Sequence, residues 1–406
     1  MINGKITRAD LLTIFHEAVD TVSGQGVVNK ALATGDYSDS FHVVAIGKAA
    51  DAMLQGVPSD QIKSALLISK QGHISQQSID NPLIKCIESD HPVPTQTSLK
   101  AGQALIEFIQ QLPAQEPCLF LISGGTSALV EVLKEGWNLQ KLQELTDYLL
   151  ANAYSIDEIN AVRRRLSKIK GGRLWDYIGS RSVFCLMISD VPNDDEKVIG
   201  SGLLFSSDDN TLPELPLKYA KKIPIVDSRT KCVQPENFKW EIVASLSDAK
   251  KAAKHKAEQL GYKVELVETF LDGDAEDAAK MCVQTIQNQV DTLFIWGGET
   301  TVNLPEKAGK GGRNQQLALM AAFEMQGLEK VYLLAAGTDG SDGTTTATGA
   351  IVDNQTVVKG IPQGLDALDY LKRADSNTYF KKTDELIVTG ATGTNVMDLV
   401  LGIRLG

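Results

Sequence analysis

The sequence predicts an α/β protein made of two α/β domains with mostly parallel sheets. Three observations carry that reading. Apolar runs of strand length recur and are nearly continuous rather than alternating, as expected of strands covered on both faces. Stretches with a 3.6-residue apolar stripe lie between them, and strand–helix alternation implies parallel pairing. The 406 residues exceed what one core usually organises.

The first stripe spans 9–22, with Leu11, Leu12, Phe15, Ala18, Val19 and Val22 on one face. Strands are expected at 41–46, 65–69, 118–122 and 182–188, and helices at 98–112 and 139–150. From 205 to 238 the chain is rich in Asp, Pro, Lys and Asn and has little periodicity, so an irregular interdomain crossing is expected there. A second set follows, with strands at 241–246, 263–267, 292–296, 331–335 and 385–389 and helices at 247–260 and 273–289. The domains are therefore expected at 1–235 and 236–406, and the first helix could pack on either.

Composition narrows the function. A formal net charge of −11 argues against a nucleic-acid binder but permits a local cationic pocket. The five cysteines contain no CxxC pair and suit a reducing compartment; Cys118 and Cys185 read as small buried hydrophobes. No signal-peptide pattern and no apolar run of about 18 residues occurs, so the chain reads as soluble and cytoplasmic.

The residues that could carry chemistry follow strand-like runs, where α/β proteins place ligands. Lys48 follows 41–46. Ser123, Gly124, Gly125, Thr126 and Ser127 follow 118–122, with hydroxyl and N–H groups suited to phosphate or carboxylate oxygens; a plain strand-to-helix turn is the alternative. Asp190 is the second residue after 182–188 and could bind Mg²⁺ or accept a hydroxyl proton. Arg163 and Lys170 belong to a cationic block at 160–173 that either lines an anion pocket or forms a basic helix surface. Further on, Glu299 ends one strand, Gly337, Thr338 and Asp339 end another, and Thr394 and Asn395 lie in a glycine-rich segment after a third. The run 309–316, Gly-Lys-Gly-Gly-Arg-Asn-Gln-Gln, sets Arg313 and Asn314 before a helical stretch, where glycine-exposed N–H groups and the helix dipole favour an anion. There is no GxxxxGK[ST], no GxGxxG after the first strand, no HExxH and no GxSxG.

Taken together, these segments resemble the class II glycerate kinases, which join a Rossmann-like N-terminal domain to a C-terminal MOFRL-type domain. The resemblance rests on His91-Pro92-Val93-Pro94, Ile122 through Leu129, Ile159 through Arg163, Ile169 through Leu174 and Ile188-Ser189-Asp190-Val191. It continues through Gly297 to Val302, Gly311 to Gln315, Gly337 to Gly340 and Thr392 to Val396, in family order over nearly the whole chain. It implies ATP-dependent phosphorylation of D-glycerate to 2-phosphoglycerate, with Mg²⁺ or another divalent cation and an active site in the interdomain cleft. It also implies functional roles for Lys48, Asp190 and Arg313. Implied partners are glycerate and nucleotide, without nucleic acid or membrane; the oligomeric state is open, a homodimer included. Two segments depart from the family: Gly200-Ser201-Gly202-Leu203-Leu204 replaces a Ser-Gly-Pro-Thr turn, and Thr344-Thr345-Thr346 lacks an expected acid. A hydroxypyruvate reductase and a non-catalytic small-anion-binding homologue are the competing expectations.

Overall fold

The structure, a computed structural model, describes residues 8–152, 154–206, 212–224 and 236–406. The chain divides into two compact units. The first holds residues 27–243; the second holds the residues up to 26 together with 244–406. Much of the stretch expected to be irregular, including Cys232, lies outside the described residues. Among the described residues no helix is long and apolar enough to cross a membrane.

The first unit is built on six strands: β1 (Phe41–Ile46), β2 (Ile62–Lys70), β3 (Ile84–Ser89), β4 (Cys118–Ile122), β5 (Val183–Ile188) and β6 (Phe238–Ala244). Their order is β3-β2-β1-β4-β5-β6, and the pairings from β3 to β5 are parallel. This is the doubly wound order in which the chain changes direction between β1 and β4, opening a crevice at their carboxyl ends. β1, β4 and β5 are buried along their whole length, which their unbroken apolar runs anticipate. Cys118 and Cys185 are part of that core, and burial pushes the Cys118 thiol up to about 12. The sequence placed a strand at 241–246 in the second set; the structure instead adds β6 to the edge of the first sheet. An apolar run encodes burial but not which sheet will bury it.

The second unit holds β7 (Lys263–Leu266), β8 (Thr292–Gly298), β9 (Val331–Gly337), β10 (Gly349–Asp353), β11 (Leu386–Ile387) and β12 (Asp398–Arg404), in the order β11-β10-β9-β12-β8-β7. This sheet is mixed. Only β7 and β8 pair in parallel, and the other four pairings are antiparallel. The expectation of mostly parallel strands therefore fits the first sheet and not the second. The difference comes from β10, which runs antiparallel to β9 and β11, and from β12, which runs between β8 and β9 in the opposite direction; neither is among the strands expected from the sequence. The run of β12 is as continuous as those of β8 and β9, and continuity does not report direction.

The helix Arg313–Glu324 is the centre of this unit. Its residues from Asn314 through Ala322 are all buried, and it packs against the helix Ala275–Asn288 and against β9 and β10. The N-terminal helix Arg8–Thr21 belongs to the same unit and lies against the helix Leu246–Gln259. The sequence left its placement open because its apolar stripe fits any complementary surface. Polar anchors settle it. Arg8 bonds to the Asp353 carboxylate at 3.3 Å and forms an ion pair with the buried Glu385.

Arg8→Met should loosen this anchoring by about 1.5–3 kcal/mol, the usual worth of hydrogen bonds to charged groups. The expected outcome is faster amide exchange along residues 9–21 than elsewhere in the unit. Unchanged exchange there would assign the docking to the apolar stripe alone.

Candidate active site

In the first unit, β1 and β4 are stitched together at their carboxyl ends. Gly47 has φ 134°, and a Cβ there would lie 2.1 Å from Ser123 Oγ. Only glycine lets the two strand tips approach so closely. The Lys48 N–H donates to Gly124 O at 2.8 Å, and the Ala49 N–H donates to Ser123 Oγ at 3.1 Å. Thr126 Oγ1 donates to Ile46 O and Ser123 O, at 2.9 and 2.7 Å. The hydroxyls of Ser123 and Thr126 are thus engaged in holding the loop, and both residues are buried. Their placement fixes the backbone of Lys48, whose half-buried side chain rises beside Gly125 and His91 at the switch point.

Neighbouring elements support this loop. Arg163, on the helix Ile156–Leu166, donates to Ser127 O at 3.2 Å; burial lowers its pKa, with Glu131 opposing. Ser201 Oγ donates to Ser127 Oγ at 2.7 Å. The segment that departs from the family pattern therefore rests directly on the glycine-rich loop. Asp190 is half-buried past the end of β5, the strand beside β4. Lys170 is placed differently from the expectation of a ligand contact. It is fully buried, ion-paired with the buried Glu131, and donates to Val130 O at 3.2 Å. Burial pushes its ammonium down to about 8, against the attraction of Glu131. Its charge is used inside the protein.

In the second unit, three chain segments meet at one sheet edge. Glu299 follows β8, Thr338 and Asp339 follow β9 from Gly337, and residues 390–397 lead into β12. Because β12 is antiparallel to both neighbours, its start lies level with their ends: Asp398 pairs with Gly298 on one side and Gly337 on the other. Thr338 Oγ1 donates to Met397 O at 2.6 Å and accepts from the Val396 N–H at 2.8 Å, so this hydroxyl also serves the fold. Asp339 accepts from the N–H and hydroxyl of Ser341. Thr394 and Asn395 are buried, and Thr394 Oγ1 has no hydrogen-bond partner among the described residues.

Arg313 opens the buried helix at this edge. Its Nε and Nη2 donate to the two oxygens of Asp398 at 2.5 and 3.0 Å, and its Nη1 donates to Glu299 at 2.6 Å. Burial alone would lower its pKa, but the two carboxylates outweigh burial and hold the guanidinium above its ordinary value. The helix start itself is not open to an anion in the way that the glycine run suggests. Asp342 already occupies it. Its oxygens accept from the backbone N–H groups of Asn314 and Gln315, at 3.1 and 2.9 Å, and from both side-chain amides. A Cβ on Gly312 would lie 2.3 Å from the Asp342 carboxyl carbon. That glycine therefore admits a protein carboxylate. Asn314 contributes to this cap and is buried behind Arg313.

Asp398, Asp342, Glu131 and Ser201 are the residues that the sequence reading missed. Asp398 had a usable signal, an acid standing at the head of an apolar run. Ser201 stands in the segment that departs from the family pattern, whereas Asp342 and Glu131 are recognisable only from their partners.

These two clusters at strand tips, one holding Lys48 and one built on an arginine between carboxylates, mark an α/β class of protein made of two compact units. Comparison with known proteins gives the class a family. Residues 10–234 match a domain of unknown function, DUF4147, and residues 292–398 match the MOFRL family. The chain is 37% identical over 385 residues to the D-glycerate 2-kinase of Thermotoga maritima, covering 90% of this chain and 91% of that one. It is 33% identical over 388 residues to the glycerate 2-kinase of Pyrococcus horikoshii, covering 89% and 87%. The crystal structure of glycerate kinase from Thermotoga maritima superposes with a TM-score of 0.83 at 33% identity, covering 98% of this chain and 99% of that one. The chain belongs to the class II glycerate kinase family and carries its MOFRL domain.

Two substitutions test the internal electrostatics. Lys170→Met should cost about 3–5 kcal/mol in urea unfolding, because it leaves Glu131 buried and unpaired. Combining it with Glu131→Leu should restore most of the loss; no loss in the single variant would show that the pair is not isolated from solvent.

Burial raises the Asp342 carboxyl to about 6, helped by the nearby charge of Asp398 and opposed by the N–H groups of Gln315 and Asn314. A carboxyl raised in the folded state contributes stability that is complete below its unfolded value, about 4, and is lost as pH rises through about 6. The stability advantage of the protein over Asp342→Asn should therefore shrink between pH 4 and pH 6 and level off above. An advantage that grows across that window would reverse the assignment.

Proposed function

We propose that this protein is an ATP-dependent D-glycerate 2-kinase. The observation that carries the reading is the match to the Thermotoga maritima enzyme over 90% of the chain, with Lys48 held at the β1/β4 switch point within it. In the reaction the 2-hydroxyl oxygen of glycerate bonds to the γ-phosphorus of ATP. The bond from that phosphorus to the bridging oxygen breaks, ADP leaves, and the hydroxyl proton is released. Such a transfer asks for charge neutralisation and alignment more than covalent help. Lys48 and Arg313 supply fixed positive charge, and the loop Gly124–Ser127 supplies backbone N–H groups. Asp190, past the end of β5, would orient the hydroxyl or contact a divalent ion.

Mg²⁺ fits this chemistry. Among the described residues no three His, Cys, Asp or Glu side chains gather into a metal cage. Mg²⁺ commonly needs only one or two protein carboxylates beside nucleotide phosphates, and Asp190 would serve. When bound, the ion would neutralise charge on the phosphate oxygens.

A coupled assay with D-glycerate, ATP and Mg²⁺ should give turnover, and phosphorus NMR should identify 2-phosphoglycerate. Oxidation of NADH on hydroxypyruvate, without phosphorylation of glycerate, would replace the reading with that of a reductase. Lys48→Ala should lower kcat by about 10²–10³-fold, the usual cost of one preorganised group at a developing anion, with little change in Tm. Full turnover in this variant would make Lys48 an ordinary surface charge. For Asp190→Asn, a shifted pH profile marks a proton acceptor, and a raised Mg²⁺ requirement marks a metal ligand.

A further inference from the structure

We propose that Asp398 is a positioning residue for phosphoryl transfer, setting the orientation of the Arg313 guanidinium without touching substrate; the proposal rests on the kinase reading above. Asp398 is fixed more tightly than a surface acid. It opens β12, its backbone is paired to Gly298 and Gly337 on either side, and it is 5% exposed. Both carboxylate oxygens face Arg313, one on Nε and one on Nη2. This side-on fork determines the plane of the guanidinium, which a single contact would leave free to rotate.

The other end of Arg313 is fixed independently. Arg313 is the first residue of a buried helix whose following N–H groups are held by Asp342. A long side chain is thus anchored at its backbone by one carboxylate and at its head by another. A guanidinium has five N–H donors. Asp398 and Glu299 engage three of them, and the remaining two lie on Nη1 and Nη2. The Asp398 fork dictates where those two aim. In a loose, charge-separated transition state a misaimed donor loses stabilisation that ground-state binding never contained, so the effect falls on kcat rather than KM.

The test uses the full-length protein with Asp398→Asn, Asp398→Glu, Arg313→Lys and the double variant Asp398→Asn/Arg313→Lys. Asp398→Asn presents an amide donor to a guanidinium donor, and Asp398→Glu keeps the charge but moves it by one methylene. Each should lower kcat about 10- to 100-fold, the usual scale for an outer partner of a functional group, with KM for ATP and glycerate within about threefold. In the Arg313→Lys background, Asp398→Asn should cost less than about threefold more, because its effect runs through the guanidinium. Independent, multiplying losses in the double variant would overturn the proposal. So would an unchanged kcat per folded molecule alongside a lowered Tm, which marks a purely structural acid. If the protein does not phosphorylate glycerate, the kinase reading fails, and the clamp is judged by NMR alone. A slowly exchanging Arg313 Nε–H resonance that disappears in Asp398→Asn supports it. Absence of that resonance in the unsubstituted protein rejects the clamp, whether or not the variants fold.

Discussion

Strands buried on both faces leave polar chemistry only the ends of the sheet. β1, β4, β5 and β8 have no exposed residue along their lengths, so a charged group within any of them would lose its water without gaining a partner. Most candidate functional side chains consequently lie past a strand end or at a helix start; Arg163, in the last turn of its helix, and Lys170, in the segment after it, do not. In the first unit the parallel arrangement puts Lys48, Ser123–Ser127 and Asp190 at the carboxyl ends of adjacent strands. In the second unit the same edge is reached by two strand ends and, because β12 runs in reverse, by one strand beginning.

The glycine-rich loops show how one composition can serve two purposes. A run such as Gly311-Gly312-Arg313 suggests backbone opened toward an anion. The anion that the structure places there is the protein's own Asp342. The close approach at Gly47 likewise admits Ser123. In both cases glycine lets one part of the chain reach another, and a charged residue follows directly: Lys48 after Gly47, Arg313 after Gly312. Rigidity at the backbone places the charge.

Burial separates the cations of this acidic chain into two kinds. Lys170 is sealed with Glu131, where desolvation works against its charge. Arg313 keeps partial exposure and two carboxylates, and its charge is reinforced. The sealed pair also bonds Val130 O inside the protein, whereas Asp398 and Glu299 engage only three of the five Arg313 donors. Lys170 and Arg163 belong to one basic block in the sequence, yet the first is closed off and the second reaches Ser127 O.

The sequence by itself determined the two α/β sets, most central strands, the strand-tip location of Lys48, Asp190 and Glu299, and the helix-start location of Arg313. Apolar continuity and helical periodicity are local properties, and strand ends follow from them. Only the tertiary structure decided strand direction and sheet membership, because an apolar run records that it is buried and not by what. It therefore took the fold to insert β12 between β8 and β9, to move β6 to the first sheet, and to bring the N-terminal helix to the second unit. The same holds for partnership. The 85 residues separating Arg313 from Asp398, and the 39 separating Glu131 from Lys170, are bridged by packing, and no local pattern records which charge will meet which.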